Sequence, residues 1–186
     1  MSFTLRQAVP ADLAEIMRLE RTGFAEAIQE TERTFAERLS AAPEGCWVLV
    51  GGAGRLAGYL CAEFWPFEAD FRASRFARDH AAAETHLRVG EEIYISSMVV
   101  DPALRGTGWG RRLFRDALGE MFALHRHLRS AILIVHPAWR AAREIYRAEG
   151  FAEIGEIDAY FVSAASPGVR LPAIVMRRAG TAGRGA

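Results

Sequence analysis

Two short stretches combine residue types at spacings that suit chemistry. The first is Val99-Val100-Asp101-Pro102-Ala103-Leu104-Arg105-Gly106-Thr107-Gly108-Trp109-Gly110-Arg111, where an apolar run ends, a Gly-rich turn follows and a helical pattern begins. Gly106, Gly108 and Gly110 remove Cβ atoms where a ligand would touch the backbone. The first amides of a helix have no partner within it, and the helix dipole makes that end positive. Together they suit a phosphate or pyrophosphate. A nucleoside-triphosphate loop would end in Gly-Lys-Ser/Thr, which is absent. A dinucleotide fingerprint would read Gly-x-Gly-x-x-Gly, and Arg111 stands where its third glycine belongs. A plain flexible turn is the other reading of three close glycines.

The second stretch is Ala142-Arg143-Glu144-Ile145-Tyr146-Arg147-Ala148-Glu149-Gly150-Phe151. It places Tyr146 late in a helix, facing the sheet, where a tyrosine taken alone reads as a core aromatic. Cys46 and Cys61 sit in apolar, strand-like runs and read as buried thiols without a role in chemistry. His80, His86, His125, His127 and His136 show no ligand spacing, so no metal is expected. His125 and His127 close a helix end, where they would meet its dipole.

The elements that must position these residues follow from periodicity and breakers. Strands are predicted over Phe3–Val9, Trp47–Val50, Leu56–Phe64, Glu92–Val100, Ala131–Val135, Phe151–Ile157 and Ala173–Arg178. Helices are predicted after Asp12 as cap, with Leu13, Ile16, Met17 and Glu20 at helical spacing, and over Thr31–Ala41, Gly110–Leu124 and Ala138–Ala148. Gly51 to Gly54 makes a hairpin turn, and Ser166-Pro167-Gly168 breaks the segment between the last two strands. Residues 65–90 read as an insertion with a helix over Asp70–Ala83. The order is mixed α/β, an α+β arrangement in one domain over 1–179, with a disordered tail at 180–186.

The chain of 186 residues is 51% hydrophobic, which supports one sizeable core. Lys+Arg and Asp+Glu both number 23, so no net field draws nucleic acid or an anionic membrane. Every fixed cation is arginine. The N-terminus lacks the basic start and apolar run of a signal peptide, and no apolar stretch reaches the roughly 18 residues that span a bilayer. A cytoplasmic protein is expected.

Arg105, Gly108 and Gly110 in the pattern Arg-x-x-Gly-x-Gly, followed after a strand by Ala142-x-x-x-Tyr146 and Gly150-Phe151, resemble the two signatures of the GNAT N-acetyltransferase superfamily. The resemblance covers nearly the whole chain. It implies a mixed, mostly antiparallel sheet flanked by helices and splayed between its fourth and fifth strands. It implies acetyl-CoA as cosubstrate, with cofactor contacts from Met98, Val99, Val100, Arg105, Gly106, Thr107, Gly108, Trp109, Gly110 and Arg111. Ser96-Ser97 falls where the family often bulges its strand, aiming an amide at the thioester oxygen. Tyr146 falls where the family protonates the departing thiolate. The implied partner is a small-molecule or protein amine, and a homodimer is admitted.

Three positions depart from the pattern. Trp139 replaces a frequent asparagine. Tyr94 and Ile134 occupy places where relatives carry a glutamate base. Glu92, on the same strand face as Tyr94, is the expected substitute, against a solvated strand-end charge or a water chain. The insertion offers Glu68, Asp70, Asp79 and Glu84 to a cationic acceptor and Arg72, Arg75, Arg78 and Arg88 to an anionic one. A non-catalytic acyl-CoA-binding regulator is the competing reading.

Overall fold

Leu56–Trp65 is buried at every position, so it needs cover on both faces. The computed structural model, which describes residues 2–78, 80–162 and 168–180, provides that cover. Among the described residues the sheet has seven strands: β1 Thr4–Gln7, β2 Trp47–Val50, β3 Leu56–Trp65, β4 Glu92–Val100, β5 Ser130–Val135, β6 Ala152–Val162 and β7 Arg170–Ala179. Their order is β1-β2-β3-β4-β5-β7-β6. Only β4 and β5 run parallel. The helices are α1 Leu13–Gly23, α2 Glu32–Ala41, α3 Ala82–Thr85, α4 Trp109–Leu124 and α5 Arg140–Ala148.

One face is closed by α4, whose Leu113, Phe114, Leu118 and Met121 are fully buried against β3, β4 and β5. Each such side chain contributes roughly 1.5–3 kcal/mol, which fixes the N-terminus of α4 against the end of β4. The other face is closed by α1 and α2 through Ile16, Leu19, Phe35 and Leu39. Gly23 lets α1 approach β4, since a Cβ there would lie 2.6 Å from the Val99 methyls.

The mixed, mostly antiparallel sheet agrees with expectation, and three details differ. The described residues of 70–83 form no continuous helix. Ala73–Phe76 makes one 3-10 turn and α3 has four residues, because buried Phe76 and the half-buried Phe71 pin the segment to Trp65 and break its helical run. The closing strands are longer than expected, and β6 carries a register shift around Ala159, at φ 51°. Asp12 does not cap α1 with its side chain; its carboxylate accepts from the Val9 amide and pairs with Arg6. His125 stands at the C-cap of α4, its ring edge-on to Phe64, and burial lowers its pKa. Asp79, Ser166, Pro167 and 181–186 lie outside the described residues. Gly180 is described, its amide bonded to the Arg129 carbonyl at 2.6 Å. Among the described residues no helix is long and apolar enough to cross a membrane.

Candidate active site

The parallel ladder of β4 and β5 runs from Glu92↔Ser130 to Ile95↔Leu133 and stops. The cause lies in β4. Cys61 faces Ser97 while Ala62 faces Ile95, so Ser96 is an extra residue, a β-bulge. Its hydroxyl bonds the Cys61 carbonyl at 3.1 Å. Bulges bend a strand and sharpen its twist, and beyond this one β4 keeps only β3 as a neighbour. The Asp101 amide bonds the Ala57 carbonyl at 2.8 Å, so this pair is hydrogen-bonded. Alternation along an antiparallel ladder then bonds Val99 with Tyr59 and Ser97 with Cys61. Met98 and Val100 therefore turn their backbone groups toward the open edge. Val99 does not, and its side chain is buried among the α1 and α2 residues. The expected cofactor contact from Val99 has no geometric basis.

A cleft of about 610 Å³ fills the gap. Ser96, Ser97 and Met98 form one wall, Leu133 and Ile134 the other, and Tyr146 and Trp139 stand over it. The Tyr146 ring packs on Phe114 at 4.9 Å. Loss of water raises its pKa to about 12, so at neutral pH it is a hydroxyl donor. Trp139, at the asparagine position, joins Phe24, His136 and Phe161 in an aromatic wall. His136 Nδ1 accepts from the Ala138 amide at 3.0 Å, and burial lowers the ring's pKa. That bond assigns the neutral ring's proton to Nε2.

At the end of β4 the glycine turn leads into α4. Gly106 and Gly108 have φ of 76° and 86°, a conformation that costs other residues roughly 1–2 kcal/mol. A Cβ at either would meet nothing, so the backbone angle requires glycine there. Gly110 is different: its Cβ would lie 3.6 Å from Ile145 and 3.7 Å from Val100, an ordinary contact. The first amide bonded back to the turn is that of Arg112, to Gly108 at 3.1 Å, and the preceding helix amides are free of intrahelical partners. Trp109 packs its ring edge-on to Phe3, so it offers the turn its amide alone. Arg111 pairs with Glu149 at 2.7 Å, and Arg105 and Thr107 are exposed on the turn.

Glu92 is not brought to this site. It starts β4, buried, with Arg177 Nε at 2.8 Å and the Ser130 hydroxyl at 2.8 Å. It lines a separate small pocket with Phe71 and Arg75 instead. It shares a face with Tyr94, as expected, but at the far end of the strand, where burial raises its pKa and Arg177 opposes the rise.

The charged groups that do adjoin the cleft come from elsewhere. A second cavity of about 90 Å³ shares Ser96, Ser97, Ile134 and Trp139 with the first, and Glu20, Arg38 and His80 line it. Arg38 is buried and forms a fork with Glu30 at 2.5 and 2.6 Å. Glu63, fully buried opposite Tyr94, accepts from Thr85 at 2.6 Å and Trp65 at 3.1 Å and bonds His80 at 2.8 Å. These partners outweigh burial and hold its pKa at about 2, while Glu63 raises that of His80. Sequence reasoning passed over this network. Its signal was a carboxylate inside an apolar stripe: Glu20 in register with Ile16 and Met17, and Glu63 within Leu56–Trp65. No group of three potential metal ligands converges among the described residues.

The fold has solved counterparts. The GphF GNAT-like decarboxylase in complex with isobutyryl-CoA matches with a TM-score of 0.76 at 20% identity, over 95% of this chain and 98% of its own. The ribosomal-protein-S18-alanine N-acetyltransferase from Escherichia coli gives 0.72 at 20% identity, over 100% and 99%. A GNAT superfamily phosphinothricin acetyltransferase from Sinorhizobium meliloti, in complex with acetyl-CoA, gives 0.69 at 25% identity, over 100% and 94%. No curated protein matches the sequence significantly. The sequence model of the acetyltransferase (GNAT) family matches residues 12–151, most of the chain and all of the cleft-forming strands β4 and β5. With the parted strands and the glycine turn in place, the chain belongs to the acetyltransferase (GNAT) family, whose general chemistry is acyl transfer from acyl-CoA.

Proposed function

We propose that the chain is an N-acetyltransferase that holds acetyl-CoA between β4 and β5 and passes the acetyl group directly to a primary amine. The observation that carries this reading is the open edge of β4. Met98 lines the cleft that has Tyr146 in its wall, and Val100, on the same open edge, continues from it toward the glycine turn. These residues fit the cofactor: a peptide-like arm needs a strand edge, and a pyrophosphate needs free amides at a helix N-terminus.

Acetyl-CoA supplies an activated thioester. Met98 and Val100 pair with its pantetheine arm, and the amides of Gly106 and of Gly108 to Arg111 hold its pyrophosphate, with Arg105 and Thr107 exposed beside them and the Thr107 amide bonded to the Leu104 carbonyl. The bulge at Ser96 aims an amide at the thioester oxygen, where it stabilises developing negative charge. The Tyr146 hydroxyl donates to the departing sulfur. Cys46 and Cys61 are buried and take no part. Glu92, held by Arg177, has no role in this reading. The activities of the S18-alanine and phosphinothricin enzymes support an amine acceptor, small or protein-borne.

The test is release of free CoA thiol from acetyl-CoA with a panel of small primary amines and peptides with free N-termini. Turnover on at least one acceptor is expected. Binding of acetyl-CoA without thiol release across the panel would instead mark a non-catalytic acyl-CoA-binding protein.

A further inference from the structure

Ser97 joins three elements. Its Oγ lies 2.9 Å from the Tyr59 hydroxyl, and that hydroxyl donates to Glu20 Oε2 in a short hydrogen bond. Ser97 lines both the cleft and the second cavity, and Glu20 lines the second. Glu20 and Tyr59 are 1% and 0% exposed.

A buried carboxylate is normally paired with a cation. Glu63 obeys, with His80 and Arg38 beside it. Glu20 does not: among the described residues it forms no ion pair. Its hydrogen bonds come from Tyr59 and, at 2.9 Å, from the Glu30 amide. The nearby cation on α2, Arg38, is committed to Glu30 and Glu63. Glu20 is thus a carboxylate whose only route to neutrality is a proton, and a hydroxyl chain links it to the cleft.

We propose that Glu20 is the proton acceptor for the incoming amine, reached through Ser97 and Tyr59, and that the second cavity receives the ammonium end of the acceptor. The inference rests on the acetyl-transfer reading and names the base it needs. An amine of pKa near 10 arrives as an ammonium ion. One N–H bond breaks and its proton goes to Ser97 Oγ. The Ser97 proton passes to the Tyr59 oxygen, and the Tyr59 proton passes to Glu20. One O–H bond has formed on Glu20, Ser97 and Tyr59 are neutral as before, and the amine is a free nucleophile. A cation and an anion have become two neutral groups, which a low-dielectric site favours. Glu20 then yields its proton to solvent as product leaves. The charged groups facing Glu20 support this. Burial and the Glu30 charge raise its pKa, while Tyr59, the Glu30 amide and Arg38 lower it, with a net rise. His80 and Arg78 complete the cavity wall from the insertion.

The experiment is the pH profile of kcat/KM for wild type, Glu20→Gln, Tyr59→Phe and Ser97→Ala, on the best acceptor of the amine panel. In the variants only free amine reacts. The rate should fall about 100-fold or more well below the amine's pKa, and the deficit should vanish above it. A loss that is equal at every pH, or no loss, overturns the relay while leaving acetyl transfer standing. A wild type that binds CoA yet acetylates nothing removes both. Ser97→Ala, at the cleft wall, decides the matter should a deeper variant fold poorly. Thermal stability gives a readout apart from activity. A carboxyl with a raised folded pKa makes wild type lose stability as pH rises from about 4.5 through that folded value. Glu20→Gln should reduce this fall to the share that Glu92 contributes, and an unreduced fall would contradict the assignment.

Discussion

The two sides of β4 are built from opposite materials. Toward β5 and the glycine turn the usable groups are backbone: the edge at Met98 and Val100, and the free amides at the start of α4. Toward α1 and α2 they are buried side chains: Glu20 on its hydroxyl chain, and the net of Glu30, Arg38, Glu63 and His80. Backbone dipoles suit a ligand part common to every acyl-CoA, because they read no side chain. Side-chain charges suit an acceptor, which varies. The backbone side should tolerate substitution outside its few glycines, and the charged side should tolerate little.

The largest effect should come from the charged side. Arg38→Met leaves half-buried Glu30 without its cation and buried Glu63 with His80 alone, and a broken buried pair costs about 3–5 kcal/mol. Denaturant unfolding measures it, and a loss below about 1 kcal/mol would mean the network is not under tension. The same network sets a pH window. Glu63, with its folded pKa near 2, adds stability above the ordinary carboxylate value that is lost as pH falls toward 2. His80, with its pKa raised, adds stability below about 6.5 that is lost as pH rises through its folded value. Glu63→Gln should flatten both slopes.

The next effect is chemical. Tyr146→Phe keeps the ring against Phe114 and removes the donor. The expected fall in kcat is roughly 10- to 100-fold, at the low end for a general acid because a thiolate leaves readily. Acetyl-CoA affinity should hardly change. Unaltered kcat, with chemistry shown to be rate-limiting, would make Tyr146 a packing residue.

The smallest effect separates turn geometry from ligand contact. Gly110→Ala meets only ordinary contacts at 3.6 and 3.7 Å and gains helix propensity, so the free protein should be stabilised by up to about 1 kcal/mol. Its affinity for CoA should nevertheless fall, since the added methyl stands beside an amide assigned to the pyrophosphate. Unchanged affinity would shift that contact to Gly106 and Gly108.

The sequence shows the backbone side more clearly, for a physical reason. Glycines at φ of 76° and 86° and a strand running into a helix leave a local pattern, and the bulge at Ser96 falls where the resemblance placed it. The parting of β4 from β5 follows from those same residues. Strand and face alone bring Glu92 to mind as a base, and the structure sets it apart from the cleft, beside Arg177. Which end of β4 adjoins the cleft depends on Arg177, distant in sequence, and on where the ladder stops. Glu20, Tyr59 and Ser97 come from three separated segments, so no local spacing joins them. The only trace was a glutamate in the apolar register of Leu13, Ile16 and Met17. The helix expected over 70–83 failed for a similar reason, since Phe76 docks on Trp65, distant from the local pattern, and Phe71 packs on Phe76.

The claim on which all of this stands is that the turn after β4 holds the pyrophosphate of CoA. It is tested most directly by the melting temperature of the protein with increasing free CoA, in wild type and in Gly108→Asp. At a hundredfold excess over the dissociation constant, wild type should gain roughly 2.7 kcal/mol. Gly108→Asp should gain nothing, because it adds negative charge beside the phosphates and strains a residue at φ 86°. An unchanged wild-type melting curve at saturating CoA, or equal stabilisation of the variant, would contradict the account.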